Sequence, residues 1–279
     1  MKVRAGSHSI EITHPDKVLF PKGKITKEQL VRYYLKVGSK MVPLIKDRPI
    51  SMKRYPNGIH KGGFFQKNAP ETLPSFVKTA KVTRKEKGKA TMILCNNVAT
   101  LAWLANQNCI TPHIWLSKVE RPDYPDRMVF DLDPPARKAF SDVVEMAHLL
   151  RDVLKKNRRS RINLMVTGSK GLHLVVPITP NKPFDEVREF AREIAEEVVN
   201  EAPKLCTTAA RKASRKGRIY IDVARNGYGQ TVVAPYAVRP LPSAPLAIPV
   251  SWSEVGQKTA SSDMHHLATF KASEKNPWQ

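Results

Sequence analysis

The segment MVFDLDPP, residues 128–135, places two carboxylates one residue apart at the end of an apolar run. Alternate residues of a strand point to the same face, so Asp131 and Asp133 are expected to project together. Two unpaired carboxylates side by side repel each other, and a divalent cation removes that conflict. Oxygen ligands suit Mg²⁺ or Mn²⁺. Asp222, in the apolar run RIYIDV, is the expected third ligand, and such a cluster can hold two ions that act on a phosphate.

The DxD pair has other readings. The two aspartates can simply end a strand or pair with nearby arginines, because DxD alone is a weak motif. A haloacid-dehalogenase-type phosphatase uses an aspartyl nucleophile, usually with Thr or Val soon after it, where this chain has Pro134 and Pro135. A glycosyltransferase uses DxD with Mn²⁺ to hold a sugar nucleotide, but that activity gives no reason for a strongly basic chain.

The segment TGSKGLH, residues 167–173, supplies groups that suit a phosphate. A glycine-rich turn presents backbone N–H groups to an anion, and Ser169 and Lys170 add a donor and a charge. The spacing of a Walker A loop is absent. A single histidine is more often structural than functional. Beside a carboxylate cluster, however, His173 can donate a hydrogen bond to a triphosphate oxygen.

The whole chain is strongly basic, with 47 Lys and Arg against 25 Asp and Glu and a net charge of +22. Such a surface favours a polyanion, and nucleic acid is the expected partner class. Three basic runs lie at residues 78–92, 156–161 and 210–218. No apolar run is long enough to span a membrane, and the N-terminus has no apolar signal segment. The three cysteines show no zinc spacing, so we expect reduced thiols in the cytoplasm.

The middle of the chain predicts the order β-α-β-β-α-β, which is the ferredoxin-like pattern. In that topology the first strand lies between the third and the fourth. The Asp131 strand is therefore expected beside the strand of His173 and beside the strand of Asp222. The predicted elements are strands at 127–133, 162–166, 172–178 and 218–223, and helices at 141–157, with Ser141 as N-cap, and at 184–199.

The first 120 residues are less regular. Leu30, Tyr33, Tyr34 and Val37 form an apolar stripe at helical spacing, which predicts a helix from residue 27. Further predictions are strand–turn–strand at 48–70, a buried helix at 96–109, an exposed hairpin or loop at 78–92, and a capping box of Ser251 with Glu254.

The motifs GGFFQKNAP, FDLDPP, TGSKGLHLVVP and RIYIDVARNGYGQTVVAPYAVRP occur in this order. Together they resemble the polymerase domain of bacterial ligase D, in the archaeo-eukaryotic primase superfamily, from about residue 8 to the end. The resemblance implies an α+β primase-polymerase fold with a ferredoxin-like, RRM-like core and an N-terminal α/β module packed on it. It also implies a single polymerase domain over 1–279, with a DNA-end-binding module at 1–120, a catalytic core at 121–240 and a C-terminal extension at 241–279.

The resemblance also implies roles for particular residues. Asp131, Asp133 and Asp222 match the catalytic metal ligands. The other carried-over positions are the triphosphate or nucleotide site (Thr167, Ser169, Lys170, His173, His113, Lys216, Arg218 and Arg239), the pocket for the 5′-phosphate across a gap (Lys17, Lys27 and, in support, Lys53), and the aromatic pair that packs on the templating base (Phe64 and Phe65). Two alternatives are open. Lys17 and Lys27 can be ordinary surface lysines, and one ring of the Phe64–Phe65 pair can belong to the core. The segment 78–92 matches a loop that brings two DNA ends together.

By this resemblance the chain is a template-dependent nucleotidyltransferase that fills gaps and extends ends at DNA double-strand breaks. It would prefer ribonucleotides, use Mn²⁺ or Mg²⁺, and work at 5′-phosphate ends in the nucleoid with Ku and a DNA ligase, away from any membrane. One alternative is a primase or repair polymerase of the same superfamily. A second, from another class, is a non-catalytic DNA-end-binding module, against which the presence of all three aspartates argues.

Overall fold

A computed structural model describes residues 1–84, 88–136, 138–255, 265–270 and 276–278. The strands in this part of the chain are β1 (Lys2–Ala5), β2 (His8–Glu11), β3 (Val18–Phe20), β4 (Ile25–Thr26), β5 (Pro49–Arg54), β6 (Phe64–Gln66), β7 (Lys78–Arg84), β8 (Gly88–Leu94), β9 (Cys109–Trp115), β10 (Arg127–Asp133), β11 (Asn163–Val166), β12 (Leu172–Pro177), β13 (Cys206–Thr207), β14 (Ile219–Asp222), β15 (Thr231–Val233) and β16 (Ile248–Val250). The helices are α1 (Lys27–Ile45), α2 (Val98–Asn106), α3 (Phe140–Lys156), α4 (Phe184–Glu201) and α5 (Trp252–Val255).

The described residues form two compact units, and neither unit is one continuous stretch of chain. The first unit contains residues 1–122, 231–247 and 265–270. The second unit contains residues 123–230, 248–255 and 276–278. The single polymerase domain with sub-modules at 1–120, 121–240 and 241–279 stays a prediction.

The second unit is built on one sheet with the strand order β13-β14-β10-β12-β11-β16. β10 pairs antiparallel with β12 on one side and with β14 on the other. The predicted β-α-β-β-α-β order and the central place of the first strand are therefore confirmed.

Helices α3 and α4 pack against each other and against strands of this sheet. Their buried residues recur at helical spacing, which gives each helix one apolar face. The predicted N-cap Ser141 is wrong. The helix begins at Phe140, and its N-cap is Ala139, which gives no side-chain hydrogen bond. Phe140 is buried, so burial of this ring adds a first turn that capping chemistry does not indicate.

The first unit contains a sheet with the order β15-β9-β5-β8-β7, and β6 pairs with β5. Helix α1 starts at Lys27, as predicted, and a capping box joins Thr26 to Gln29. α1 packs on α2 so closely that a Cβ at Gly38 would lie 2.8 Å from Val98. The four residues of the predicted stripe of α1 are all buried.

Most other predicted elements of the chain are also confirmed. β5 and β6 give the strand–turn–strand at 48–70, and α2 is the buried helix. β7 and β8 form an antiparallel pair over the described part of 78–92, while residues 85–87 lie outside the described residues. The backbone N–H of Ser251 donates to the Glu254 carboxylate, and the backbone N–H of Glu254 donates to the Ser251 hydroxyl. These two hydrogen bonds confirm the predicted capping box. Among the described residues, no helix has both the length and the apolar composition that a membrane crossing needs.

Candidate functional site

Asp131 is the centre of a row of side chains that crosses three strands of the second unit. It lies directly opposite His173 of β12 and directly opposite Asp222 of β14. Directly opposite residues of neighbouring strands project to the same face of a sheet. Asp133 shares that face because it lies two residues further along β10, whereas Leu132 between them is fully buried. We call these four polar residues the aspartate row.

The most exposed carboxylate of the aspartate row, that of Asp133, has an ion-pair partner. Nη1 of Arg215 lies 2.8 Å from Oδ2 of Asp133. The same guanidinium lies 4.0 Å from the ring centre of Tyr220, the residue opposite Asp133 on β14. Arg215 therefore neutralises Asp133 and is itself held by an aromatic face.

The other two carboxylates have different partners. Nε2 of His173 lies 3.4 Å from Oδ1 of Asp131. Oδ1 of Asp222 accepts the backbone N–H of Ala224 at 2.9 Å, and Nε of Arg225 lies 3.4 Å from its Oδ2. Each aspartate thus has a different polar partner.

This donor set suits a divalent cation only after a local rearrangement. Within the described residues, no group of three or more His, Cys, Asp or Glu side chains is arranged to hold an ion. Three carboxylates on one face of neighbouring strands nevertheless supply the oxygen ligands that Mg²⁺ and Mn²⁺ prefer. The competing groups are cationic, since Arg215 occupies an oxygen of Asp133 and Arg225 lies near an oxygen of Asp222. The three carboxylates would therefore fit a metal if Arg215 left Asp133.

The glycine-rich turn beside this row is fixed by its own backbone. The hydroxyl and the backbone N–H of Thr167 both donate to the carbonyl of Gly171, at 3.0 and 3.2 Å. A Cβ at position 171 would lie 1.9 Å from the carbonyl oxygen of Leu132, so only glycine fits there. Ser169 is half-buried and Lys170 is exposed. These two residues carry the donor and the charge that the sequence predicts for a phosphate.

His173 joins the turn to the aspartate row. Its side chain is buried, and its Nδ1 has no hydrogen-bond partner within the part of the chain that the structure describes. A buried polar atom without a partner costs free energy unless a ligand or water satisfies it. The other ring nitrogen, Nε2, is the one that faces Asp131, and a triphosphate contact by His173 stays a prediction.

Lys216 and Arg218 lie in the basic loop before β14. The guanidinium of Arg218 donates to the backbone carbonyls of Pro203, Ser214 and Arg215. Arg218 therefore holds the loop that carries Arg215. Lys216 is exposed and has a left-handed backbone with φ of 47°. A nucleotide contact by either residue stays a prediction.

A buried lysine marks the predicted phosphate pocket of the first unit. Lys27 is 2% exposed, and its Nζ donates to the hydroxyl of Thr13 at 3.2 Å. Burial lowers the pKa of Lys27, and the nearby charges of Lys17 and Arg54 lower it further. The described residues give Lys27 no carboxylate partner. Three cations with one of them buried form a site that an anion would stabilise.

Lys17 also lines a cavity of about 470 Å³ together with His14 and Asp16. Its backbone is fixed to α1, because the N–H of Lys27 donates to the carbonyl of Lys17 at 2.9 Å. The two predicted phosphate ligands are therefore brought together by the start of α1.

The predicted aromatic pair lies on the short strand β6. Phe64 and Phe65 are each 49% exposed, so neither ring belongs to the core and the alternative reading is wrong. Nζ of Lys53 lies 4.5 Å from the centre of the Phe65 ring, and the ring of His113 meets it edge-on at 5.1 Å. Three residues predicted separately thus form one cluster of the first unit.

Arg239 lies in the same unit, near Tyr55. Burial raises the pKa of Tyr55, and the charge of Arg239 opposes that shift. Nζ of Lys53 lies 5.9 Å from the centre of the Tyr55 ring. Arg239 and Lys53 are therefore neighbours of one tyrosine.

The comparisons with known proteins decide the family. A family model described as "LigD, primase-polymerase domain" matches residues 26–278. The chain belongs to the LigD primase-polymerase domain family. Its members are nucleotidyltransferases, so the enzyme class expected from the sequence is confirmed.

Curated members of this family are similar along most of the chain. The multifunctional non-homologous end joining protein LigD of Mycolicibacterium smegmatis is 33% identical over 260 residues, which are 92% of this chain and 33% of that protein. The bifunctional non-homologous end joining protein LigD of Bacillus subtilis is 32% identical over 247 residues, which are 88% of this chain and 39% of that protein. The chain therefore spans between a third and two fifths of these relatives.

A solved structure agrees with the fold. The polymerase domain from Mycobacterium tuberculosis ligase D in complex with DNA has a TM-score of 0.84 and 29% sequence identity with this chain. The match covers 91% of this chain and 92% of that one. The mixed helix and sheet fold expected for this LigD-family chain is confirmed.

Sequence reasoning missed two charged residues that lie beside the predicted site residues, Arg215 and Arg54. Arg215 lies in the basic run 210–218, but nothing in that run separates it from its neighbours. Arg54 follows Lys53, and its guanidinium donates to Gln107 and Gln66. The Arg215–Asp133 and Arg54–Gln107 pairs join residues 82 and 53 positions apart, so the sequence offered no local signal for them.

Proposed function

We propose that this chain is a template-dependent nucleotidyltransferase that fills gaps and extends ends at DNA double-strand breaks during non-homologous end joining. The observation that carries the proposal is the register that sets Asp131 opposite both His173 and Asp222. A row of carboxylates beside a phosphate-binding turn suits transfer of a nucleotide to a primer 3′-hydroxyl. The names of the LigD relatives support the role in end joining.

In the second unit, Asp131, Asp133 and Asp222 would hold Mn²⁺ or Mg²⁺. When bound, such ions neutralise the triphosphate and favour the deprotonated 3′-hydroxyl as a nucleophile. The protein's own contribution is to position groups and balance charge. His173 would donate to the triphosphate, and Arg215 would leave Asp133.

The first unit would bind the far side of the gap. Lys27 and Lys17 offer positive charge to a 5′-phosphate, and Lys53 supports them. The exposed rings of Phe64 and Phe65 offer flat apolar faces to the templating base, because base–aromatic stacking tolerates any base. Arg239 and His113, and Lys216 and Arg218 in the second unit, would contact the incoming nucleotide.

The finer substrate and partner assignments rest on the family. We propose that ribonucleoside triphosphates are preferred, that Ku and a DNA ligase act with this chain, and that it works on DNA in the nucleoid. The net charge of +22 favours DNA as the polyanion that the protein meets.

A gap-filling assay tests the proposal. The substrate is a short gap in DNA with either a 5′-phosphate or a 5′-hydroxyl on its far side. Mn²⁺ is supplied with either ribonucleotides or deoxyribonucleotides. We expect templated addition of one or a few ribonucleotides, and less addition when the phosphate is absent. Protein that binds the gap but adds no nucleotide under any of these conditions would contradict the proposal in favour of a binding module.

A further inference from the structure

A second cationic pocket lies on the second unit, outside the aspartate row and the glycine-rich turn. It has a volume of about 590 Å³. Its lining includes the side chains of Arg151, Lys155, Arg161, Trp252 and Trp278. We call it the tryptophan pocket.

The two indoles of the tryptophan pocket are anchored to the same strand region. Nε1 of Trp252 donates to the carbonyl of Ile162 at 3.2 Å, and Nε1 of Trp278 donates to the carbonyl of Leu164 at 2.9 Å. Trp278 is buried and Trp252 is half-buried. Because each N–H has a backbone acceptor, the rings are held in place without a ligand.

Positive charge lies directly beside these rings. The guanidinium carbon of Arg151 lies 4.7 Å from the centre of the Trp252 ring, and Nη2 of Arg161 donates to the carbonyl of Trp278. Lys155 adds a third cation. Among the residues that the structure describes, none of those lining the pocket is acidic. The carboxylate of Asp152 lies 3.3 Å from Nε of Arg151, and its side chain is 57% exposed.

The sequence concentrates charge here beyond what helix α3 needs. Five of the seven residues from 155 to 161 are Lys or Arg. The C-terminus of a helix favours cations, but its dipole corresponds to only about half a negative charge. One of the five cations, Lys156, pairs with Glu201 at 2.9 Å. The charge of the other four exceeds what the helix dipole compensates and can attract an external anion.

Aromatic rings beside cations in a concave pocket suit a single nucleic-acid strand. Proteins that bind single strands combine a basic groove that follows the phosphates with aromatic rings or guanidinium planes against which bases stack. Arg151 on Trp252 presents a cationic plane of this kind. A pocket of this size admits a flexible strand of one or two nucleotides rather than the side of a duplex. An acidic peptide would use the cations but gain little from the indoles.

We propose that the tryptophan pocket binds single-stranded nucleic acid as a contact separate from the aspartate row. This goes beyond the proposed polymerase function, because it gives the protein a place to hold an unpaired strand. Arg161 and Lys155 would contact phosphates, while the Arg151–Trp252 stack would face a base.

Photo-crosslinking of the full chain tests this proposal. The probe is a single strand of about eight thymidines that carries one 5-iodouracil, a length in the range of known single-strand sites. After irradiation, the attachment point is mapped by mass spectrometry. We expect attachment at Trp252 or its neighbours in the pocket. The crosslink should persist in Asp133→Asn, which leaves the pocket intact and separates this test from the fate of the polymerase proposal.

Affinity measurements with matched variants complete the test. Arg151→Ala with Arg161→Ala removes one base-stacking plane and one phosphate contact. It should weaken oligonucleotide binding by about tenfold and make the salt dependence of log affinity shallower by about 0.7, the value for one phosphate contact. The control is Lys118→Ala with Lys204→Ala, which removes two exposed positive charges elsewhere. Circular dichroism verifies that both variants fold. Equal binding by the two double variants would overturn the proposal, and so would crosslinks only outside the pocket. The proposal would also fail if polyglutamate displaced the oligonucleotide at a concentration of carboxylates below the concentration of oligonucleotide phosphates.

Discussion

Arg215 and Asp133 form an ion pair of 2.8 Å on the sheet face that carries the three aspartates. The guanidinium therefore occupies an oxygen that a divalent cation would also use. Arg218 holds the loop of Arg215 through three backbone carbonyls. The proposed metal binding by Asp133 would therefore be coupled to the position of that loop.

The first prediction concerns this competition. Arg215→Ala should tighten Mn²⁺ binding in the absence of DNA by about two- to fivefold, because an exposed ion pair contributes up to about 1 kcal/mol. Calorimetric titration measures the affinity. Arg211→Ala, a change of an exposed cation in the same loop, is the control and should leave the affinity near that of the unchanged protein. Weaker Mn²⁺ binding by Arg215→Ala than by this control would contradict the competition.

The second prediction concerns Lys27, whose pKa is lowered from 10.5 by burial and by Lys17 and Arg54. Between the lowered pKa and 10.5, the unfolded chain binds more protons than the folded one, so this group makes stability rise with pH in that window. Binding of a 5′-phosphate needs the charged form of Lys27. The preference for a 5′-phosphorylated gap should therefore fall as pH rises from neutral toward 10.5.

Lys27→Arg and Lys27→Met separate charge from packing. The arginine variant should keep the phosphate preference at high pH, because guanidinium stays charged. The methionine variant should lose the preference at all pH values, yet its Tm should rise by about 2–4 °C, since a buried charge is removed. Fluorescence anisotropy without metal measures the preference, and calorimetry measures Tm. A lower Tm in Lys27→Met would show that the lysine stabilises the fold.

The third prediction uses the exposure of the aromatic pair. Phe65→Ala should weaken binding to gapped DNA by about tenfold, because base–aromatic stacking contributes about 1–3 kcal/mol. Its Tm should stay within about 2 °C, because the ring is half exposed. Phe76→Ala, a change of an aromatic residue outside the cluster, is the control and should leave DNA affinity unchanged. A large fall in Tm without a loss of affinity for gapped DNA would show that Phe65 has a structural role instead.

The fourth prediction concerns the close approach of Gly171 to β10. Gly171→Ala should lower the free energy of unfolding by about 1–3 kcal/mol, because the new Cβ would overlap the carbonyl of Leu132. Gly23→Ala is the control, since its Cβ would meet only the flexible side chain of Ile25. Urea denaturation measures the free energy of unfolding of the two variants. Equal stability of the two variants would show that the turn adapts to a side chain.

The sequence predicted the second unit well because its signals are local. Periodicity gave two helices, apolar runs gave four strands, and the order of elements placed β10 between β12 and β14. That order alone brought Asp131, His173 and Asp222 together. The register that sets them directly opposite one another was not predictable, because it depends on pairing between distant segments.

What the sequence did not reveal depends on contacts that are long-range. The pairing of Arg215 with Asp133 joins residues 82 positions apart. The hydroxyl of Tyr33 donates to the carbonyl of Tyr236, 203 positions away, so the first unit includes a late segment of the chain. Trp252 and Trp278 gave no pattern in sequence, and only the structure shows that both donate to the same strand region.

The most direct test of the central claim is single-turnover extension by Asp133→Asn on a gap with a 5′-phosphate, with Mn²⁺ and ribonucleotides. The substitution keeps size and removes the charge that a metal needs. We predict that extension falls by at least about a thousandfold, as for loss of a group that stabilises charge in the transition state. Affinity for the gapped DNA, measured in parallel, should change by less than about threefold. Extension at the unchanged rate would contradict the assignment of the aspartate row as the catalytic metal site.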